Sequence, residues 1–428
     1  MTHSLSVTRE PDWRPDRTAA LEQLRAFLPR AGSYYKRYRN TDPGPGERDG
    51  VSLLSPWLRH RLVLESEVVA ATLEQHGFRS AEKFLQEVCW RTYFKGWLER
   101  RPAIWQRYRA DVTAQRAALR EQPDRLDHHE QAVAGRTGID CFDAWAHELI
   151  TTGYLHNHAR MWFASIWIHT LGLPWALGAD FFLRHLLDGD PASNTLSWRW
   201  VAGLHTPGKT YLARPDNIQR HTNGRFQPGP HELAAQAAPV GDADLPTPRT
   251  LPETDRIPDQ AAILLHEDDL SGLGVLDPLP TGTGLAVLCA ADTRSDQPTG
   301  SLARQFTHQA CEQALTEAAE RTQRQATRLL NAADSVEALV DWCREKGMDH
   351  VVTPWAPQGP VADVLAAAEP ALRQAGIRLQ QVRRDWDSLC WPHATRGFFG
   401  FWKPVSKMLR SGELRLASPW GTWHRGEG

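Results

Sequence analysis

Asn157, Arg160 and Met161 are spaced i, i+3, i+4, so on a helix they share one face. A guanidinium on an inward face needs a carboxylate partner. Asp188 and Asp190, which open D-G-D-P-A-S-N-T-L-S-W-R-W, are the nearest strong candidates. Trp162, Trp167 and Trp175 lie between the two strings. A polar Asn, Arg and Asp cluster among so many indoles suits a buried, planar, redox-active cofactor better than a hydrolytic site. A flavin ring needs donors at its carbonyls and a tuning group near its reactive nitrogen, and these residue types supply both. Taken singly, the same residues are more simply a buried ion pair in a helical core.

Helices must position this cluster. Arg17–Leu28, Glu65–His76 and Ser80–Glu99 carry apolar residues at a spacing near 3.6, and few alternating patterns interrupt them. A Pro-, Ala- and Asp-rich stretch from Phe226 to Gln260 reads as a linker. Beyond it the pattern changes. Short apolar runs at Ala261–Leu265, Gly284–Cys289, Ala326–Leu330, His350–Thr353 and Ile377–Val382 predict strands. Leu302–Glu320, Ser335–Lys346 and Val361–Ala375 predict the helices between the later ones. That alternation predicts a parallel sheet covered on both faces. The expected organisation is a mainly α domain over 1–230, a linker over 231–258, and an α/β domain with a C-terminal tail over 259–428.

The strings themselves carry a resemblance. T-G-Y-L-H-N-H-A-R-M (Thr152 to Met161) and the D-G-D string resemble the hallmarks of the photolyase and cryptochrome family. So do Tyr35 with Arg39 and Asn40, V-S-L-L-S-P (Val51 to Pro56) and F-L-Q-E-V-C-W-R (Phe84 to Arg91), all in the family's order. The resemblance implies a helical FAD-binding domain. Tyr35, Ser52, Leu53, Leu54 and Ser55 fall on its diphosphate and ribitol contacts, where hydroxyls and amides suit phosphate. Phe84 and Arg91 fall on cofactor-side positions; Asn157, Arg160, Asp188, Gly189 and Asp190 fall on the flavin ring; Asn194 falls beside its N5. Glu87, Trp90, Met161 and Trp200 match the pocket for a flipped pyrimidine dimer, with Arg39 near it, where stacking replaces what the duplex lost. Trp198 and Trp175 match two members of an electron-transfer chain; its third has no Trp counterpart near Gln122, leaving Trp105 or Tyr108. Trp57, Trp97 and Trp145 are expected to be plain core.

The implied activity is light-driven repair of UV-damaged DNA, by electron transfer from excited reduced FAD to a cyclobutane pyrimidine dimer. The alternatives are a cryptochrome-type blue-light receptor, or repair of the 6-4 photoproduct with His156, His158 or His205 as proton donor. The second half resembles the family's Rossmann-like antenna module moved to the C-terminus, through L-L-H-E-D-D-L (Leu264 to Leu270) and F-F-G-F-W-K (Phe398 to Lys403). An antenna chromophore is left unidentified, and His266 with Glu267 in place of an Arg pair counts against one. No G-x-G-x-x-G indicates a dinucleotide site.

Composition agrees with a soluble enzyme. No stretch of about 18 apolar residues predicts a membrane span, and no signal peptide is read at the N-terminus. Cys89, Cys141, Cys289, Cys311, Cys343 and Cys390 are scattered, which predicts no metal site and a reducing cytoplasm. A monomer is expected. Residues 1–230 hold 30 Lys+Arg against 25 Asp+Glu, and the remainder 19 against 26, so +5 faces −7. A polyanion is therefore expected on the first half alone. The local pairs Arg37/Arg39, Arg59/Arg61 and Arg100/Arg101 read mostly as solvated faces.

Overall fold

The computed structural model describes residues 13–206, 208–241, 245–324, 326–332 and 335–420. Positions 1–12 and 421–428 of the two expected domains, and 242–244 of the linker, lie outside the described residues.

The first half is helical: α1 (Arg17–Phe27), α2 (Ser33–Tyr38), α3 (Ser55–Arg59), α4 (Glu65–Glu99), α5 (Pro102–Arg120), α6 (Pro123–Val133), α7 (Asp140–Thr152), α8 (Asn157–Ser165), α9 (Trp175–His185), α10 (Pro191–Val201) and α11 (Pro215–His221). The two helices expected over 65–99 form one run kinked at Gly77, whose φ of 66° no ordinary side chain adopts cheaply. Glu67 caps its start by accepting from the Leu64 amide at 2.9 Å. Gly153 ends α7 at φ 69°, and a Cβ there would lie 2.7 Å from Leu187 Cγ. The Thr-Gly-Tyr string is thus a C-cap that brings α7 against the loop before Asp188.

Among the described residues, the chain between α11 and the sheet has no regular element. It is strapped down by Val240 N to Ala202 O (3.1 Å), Arg249 N to Arg100 O (2.8 Å) and Asp255 N to Gln381 O (3.0 Å). The sheet holds β1 (Ala262–His266), β2 (Gly284–Cys289), β3 (Ala326–Asn331), β4 (His350–Pro354) and β5 (Arg378–Val382), all parallel, in the order β3-β2-β1-β4-β5. The helices α12 (Ser301–Thr322), α13 (Ser335–Glu345) and α14 (Pro360–Gln374) follow strands as expected. Ile263, Leu265, Leu285 and Val287 share a core with Phe306 and Ala310 of α12. Leu264, Ala286 and Leu288 face the other way, with Trp342, Leu365 and Leu372. Burial on both faces is why these strands read as unbroken apolar runs.

The C-terminal segment departs from the expected tail. Its helices α15 (Asp385–Cys390) and α16 (Phe398–Ser411) turn back onto α4. Trp386 Nε1 donates to Thr92 Oγ1 at 3.0 Å, and Trp402 Nε1 to Glu82 at 3.3 Å. Trp391 lies so close to Gly96 that a Cβ there would meet its ring at 2.7 Å. The string Phe398 to Lys403 resembles only the closing segment of an antenna module, which says nothing of a return onto α4.

The halves join through charge. Arg59 and Arg61, expected on a solvated face, are 1% and 2% exposed. Arg59 pairs with Asp268 and, at 3.3 Å, with Glu267; Arg61 pairs with Asp269 at 3.1 Å and Asp387 at 2.7 Å. The H-E-D-D end of β1 is therefore an anchor. It lies at the switch point between β1 and β4, where open α/β sheets take ligands. His266 Nε2 lies 3.0 Å from Pro354 O, and Arg59, Arg61 and Arg384 fill its surroundings.

Candidate flavin and lesion site

Arg160 stands one turn into α8. Its Nε donates to Leu155 O at 2.9 Å and its Nη2 to Asp188 Oδ2 at 2.9 Å. Burial alone would raise the Asp188 carboxyl, but Arg160, helped by Arg91 and the Ser55 hydroxyl, holds it below the usual range. Asp190 does not share that cation, contrary to the sequence expectation. It caps α10 by accepting from Ser193 N at 2.7 Å, and pairs with Arg91 (3.6 Å) and Lys95 (3.7 Å) of α4. Burial again opposes ionisation; Lys95, Arg91 and Arg59 overcome it and keep Asp190 charged. Lys95 and Arg59 escaped sequence reading, since nothing local marks either as facing Asp190.

The phosphate-loop string bends through Leu53 at φ 56°. Leu54 N donates to Ser52 Oγ at 3.4 Å, and Ser52 O accepts from Gln23 at 2.8 Å. Tyr35 is buried edge-on against Phe84 at 5.1 Å. Gly189 lies between the two acids, its carbonyl accepting from Arg59 Nε at 3.0 Å. Asn157 opens α8 and is exposed.

Along α4, Glu87, Trp90 and Arg91 are partly exposed among buried neighbours. Arg39 Nη1 donates to Glu87 Oε2 at 3.0 Å. Desolvation raises the Glu87 carboxyl, against the pull of Arg39 and Lys83. This helix packs on α10, and α10 on α8, which brings Asn194, Trp200 and Met161 into the same region. Asn194 Nδ2 donates to Ala179 O at 2.7 Å. Trp200 stacks on Tyr211 at 5.4 Å. Phe398 of α16, which sequence reading did not assign here, stacks on Trp90 at 3.9 Å with planes 9° apart.

Trp198 is buried against Phe182 (5.1 Å) and Trp167 (6.3 Å). Trp175 lies 6.0 Å from Tyr108, which lies 5.3 Å from Trp105. Trp57, Trp97 and Trp145 are core, as expected.

Several buried polar atoms here have no hydrogen-bond partner: Asp188 Oδ1, Arg91 Nη1, Lys95 Nζ and Ser193 Oγ. Buried polar groups are seldom left unsatisfied. Unsatisfied donors and an acceptor on three separate segments fit a large polar cofactor such as FAD. The comparisons agree. The FAD-binding domain of DNA photolyase matches residues 84–224. The helical half is thus similar, over these residues, to the flavin domain of the photolyase and cryptochrome family. A deoxyribodipyrimidine photo-lyase of Streptomyces griseus is 36% identical over 186 residues, 40% of this chain and 39% of that protein. One from Thermus thermophilus is 34% identical over 204 residues, 46% and 45% of the two chains. A bacterial class III photolyase structure from Agrobacterium tumefaciens is 27% identical over 51% of this chain and 46% of its own, with a TM-score of 0.42. The chain thus spans less than half the length of the curated photolyases it matches. Among the described residues no helix is long and apolar enough to cross a membrane, and no cluster of ligands is suited to a metal.

Proposed function

We propose that this photolyase relative is a light-driven DNA-repair lyase for cyclobutane pyrimidine dimers. FAD, when bound, supplies the photoexcited electron. In this reading Arg160, Asn157, Asp188 and Asp190 hold the flavin ring, Asn194 adjoins its N5, and Arg91 and Phe84 border it. Tyr35, Ser52, Leu53, Leu54 and Ser55 take the diphosphate side. Trp90, Trp200 and Met161 receive the extruded dimer, and Trp198 and Trp175 carry electrons for reduction. Tyr108 and Trp105 extend that line where the family's third Trp has no counterpart. The sheet half is the antenna-type module, set after the flavin domain.

One observation carries the proposal: Glu87 is held by Arg39 at 3.0 Å, one turn from Trp90, with its pKa raised. A carboxyl whose burial favours taking up a proton suits a group that meets a pyrimidine carbonyl as negative charge builds there. The histidines favour this lesion over the 6-4 photoproduct. Burial pushes His156 down to about 3 and His205 to about 4, and His158 is also lowered, so all three are poor proton donors. A sensor reading draws on Phe398, which already covers one face of Trp90.

The test is illumination of reduced, flavin-loaded protein with dimer-containing and with 6-4-containing oligonucleotides, followed by chromatography of the lesions. Loss of the dimer alone is expected. A flavin-loaded protein that leaves both lesions intact overturns the repair reading in favour of the sensor.

A further inference from the structure

Phe399 is 72% exposed, more than any other large apolar side chain among the described residues. It sits in the first turn of α16, beside Phe398, the ring that stacks on Trp90. Gly397 and Gly400 flank it, and a Cβ on either would meet nothing closer than 4.0 Å, so the ring stands clear of its own chain.

The same helix face is charged. At 100° per residue, Phe399, Gly400, Lys403, Lys407 and Arg410 fall within roughly a 100° arc. All five are exposed, as is Arg396 just before the helix. Among the described residues none of these four cations has a carboxylate partner, although Arg410 donates to Ser406 O at 3.1 Å and lies over the Phe78 ring at 4.8 Å. Residues 396–415 contain Arg396, Lys403, Lys407, Arg410 and Arg415 against Glu413 alone. The half with net charge −7 thus places four of its 19 cations along one strip, and the average over that half conceals it.

We propose that this outward face of α16 is a DNA-binding strip continuous with the lesion site. Lys403, Lys407, Arg410 and Arg396 contact phosphates of the strand flanking the lesion, and Phe399 stacks on a base unstacked when the lesion leaves the duplex. Two features select this partner over an acidic protein surface. Exposed cations along one line, without carboxylate partners, match a regularly charged backbone. A lone exposed ring among them matches a base, because base–aromatic stacking is independent of sequence. The phosphate contacts stand on charge alone; the stacking role of Phe399 rests on the repair reading above.

The experiment measures binding of fluorescent duplexes, with and without a dimer, to the flavin-loaded full chain across a salt series. Lys403→Ala with Lys407→Ala is expected to weaken binding to both duplexes by about tenfold and to lower the slope of log affinity against log salt by roughly two. Phe399→Ala is expected to weaken only dimer DNA, by about fivefold or more, with flavin content unchanged. Should the repair reading fail, the salt slope on undamaged duplex still reports on the cations. An unchanged slope in the double-lysine variant overturns the strip. Equal loss on both duplexes in the Phe399 variant overturns the stacking role. All three sites are exposed, and flavin absorbance reports that each variant is folded.

Discussion

Replacing Arg61 by Met removes a charge at the seam between the halves while keeping length and apolar stem. Arg61 has a φ of 51°, which Met must adopt at similar cost, so backbone strain largely cancels. Its guanidinium bonds both Asp387 oxygens at 2.8 and 2.7 Å, reaches Asp269 at 3.1 Å and faces Glu65 at 3.5 Å. Around it, Arg59, Arg61, Arg91, Lys95, Arg294 and Arg384 balance Glu65, Asp190, Glu267, Asp268, Asp269 and Asp387. The substitution leaves one buried negative charge in excess. Asp269 keeps Arg384, through two bonds of 2.6 Å, so the excess falls mainly on Asp387. Breaking a buried pair from one side costs about 3–5 kcal/mol. Burial already raises the Asp387 carboxyl, with Arg61 opposing. Without Arg61 its folded-state pKa climbs further above the unfolded value. Between those values the folded state binds the extra proton, so the variant gains stability on acidification relative to the parent. Urea unfolding followed by Trp fluorescence at pH 8 and pH 5 should show the deficit at its largest at pH 8 and smaller at pH 5. Adding Asp387→Leu restores charge balance and should recover much of the loss. A deficit below about 1 kcal/mol, a deficit that grows with acid, or a double variant no better than the single refutes this account.

Asp188→Asn unpairs Arg160 and should lower the flavin-to-protein ratio after gel filtration; an unchanged ratio counts against Asp188 as a cofactor anchor. Trp198→Phe should slow light-driven flavin reduction in the presence of a thiol, yet spare repair by chemically reduced protein; equal photoreduction rates would remove Trp198 from the electron route. Gly178→Ala sets a Cβ 2.4 Å from Trp198 Cη2. Overpacking of about 1–3 kcal/mol should exceed the ~1 kcal/mol that Ala gains in a helix, so this variant should be less stable in urea, and a stabilised one disproves the close approach.

The sequence was most readable where one local pattern decides the outcome. β2 was expected at Gly284–Cys289 and lies there, because an apolar run buried on both faces needs no knowledge of its neighbours. Asp188 could be matched to Arg160 because it was a close acid in chain order. Asp190 met the same criterion, yet its cations come from Arg91, Lys95 and Arg59. Arg59 and Arg61 looked like surface residues since adjacent charges usually are. Their carboxylates stand 208 and 326 positions away, a distance no local pattern spans. Phe398 was noticed as part of an aromatic string, but its stack on Trp90 depends on α16 returning to α4.

That return makes the two halves one energetic unit. Arg59 holds the Gly189 carbonyl at 3.0 Å while pairing with Glu267 and Asp268 at the end of β1. The loop carrying Asp188 and Asp190 is thereby fixed by the domain that follows it in the chain. Remove the sheet half, and Arg59 and Arg61 lose Glu267, Asp268, Asp269 and Asp387 together, while α4 loses the cover of Trp386, Trp391 and Phe398. Uncovered, those cations draw water toward Gly189, and the Trp90 indole loses the ring that fixes its plane. Placing the sheet after the helices therefore makes it part of the scaffold of the proposed site: the helical half carries the residues proposed to hold the cofactor, and their geometry is completed by the sheet half of the chain.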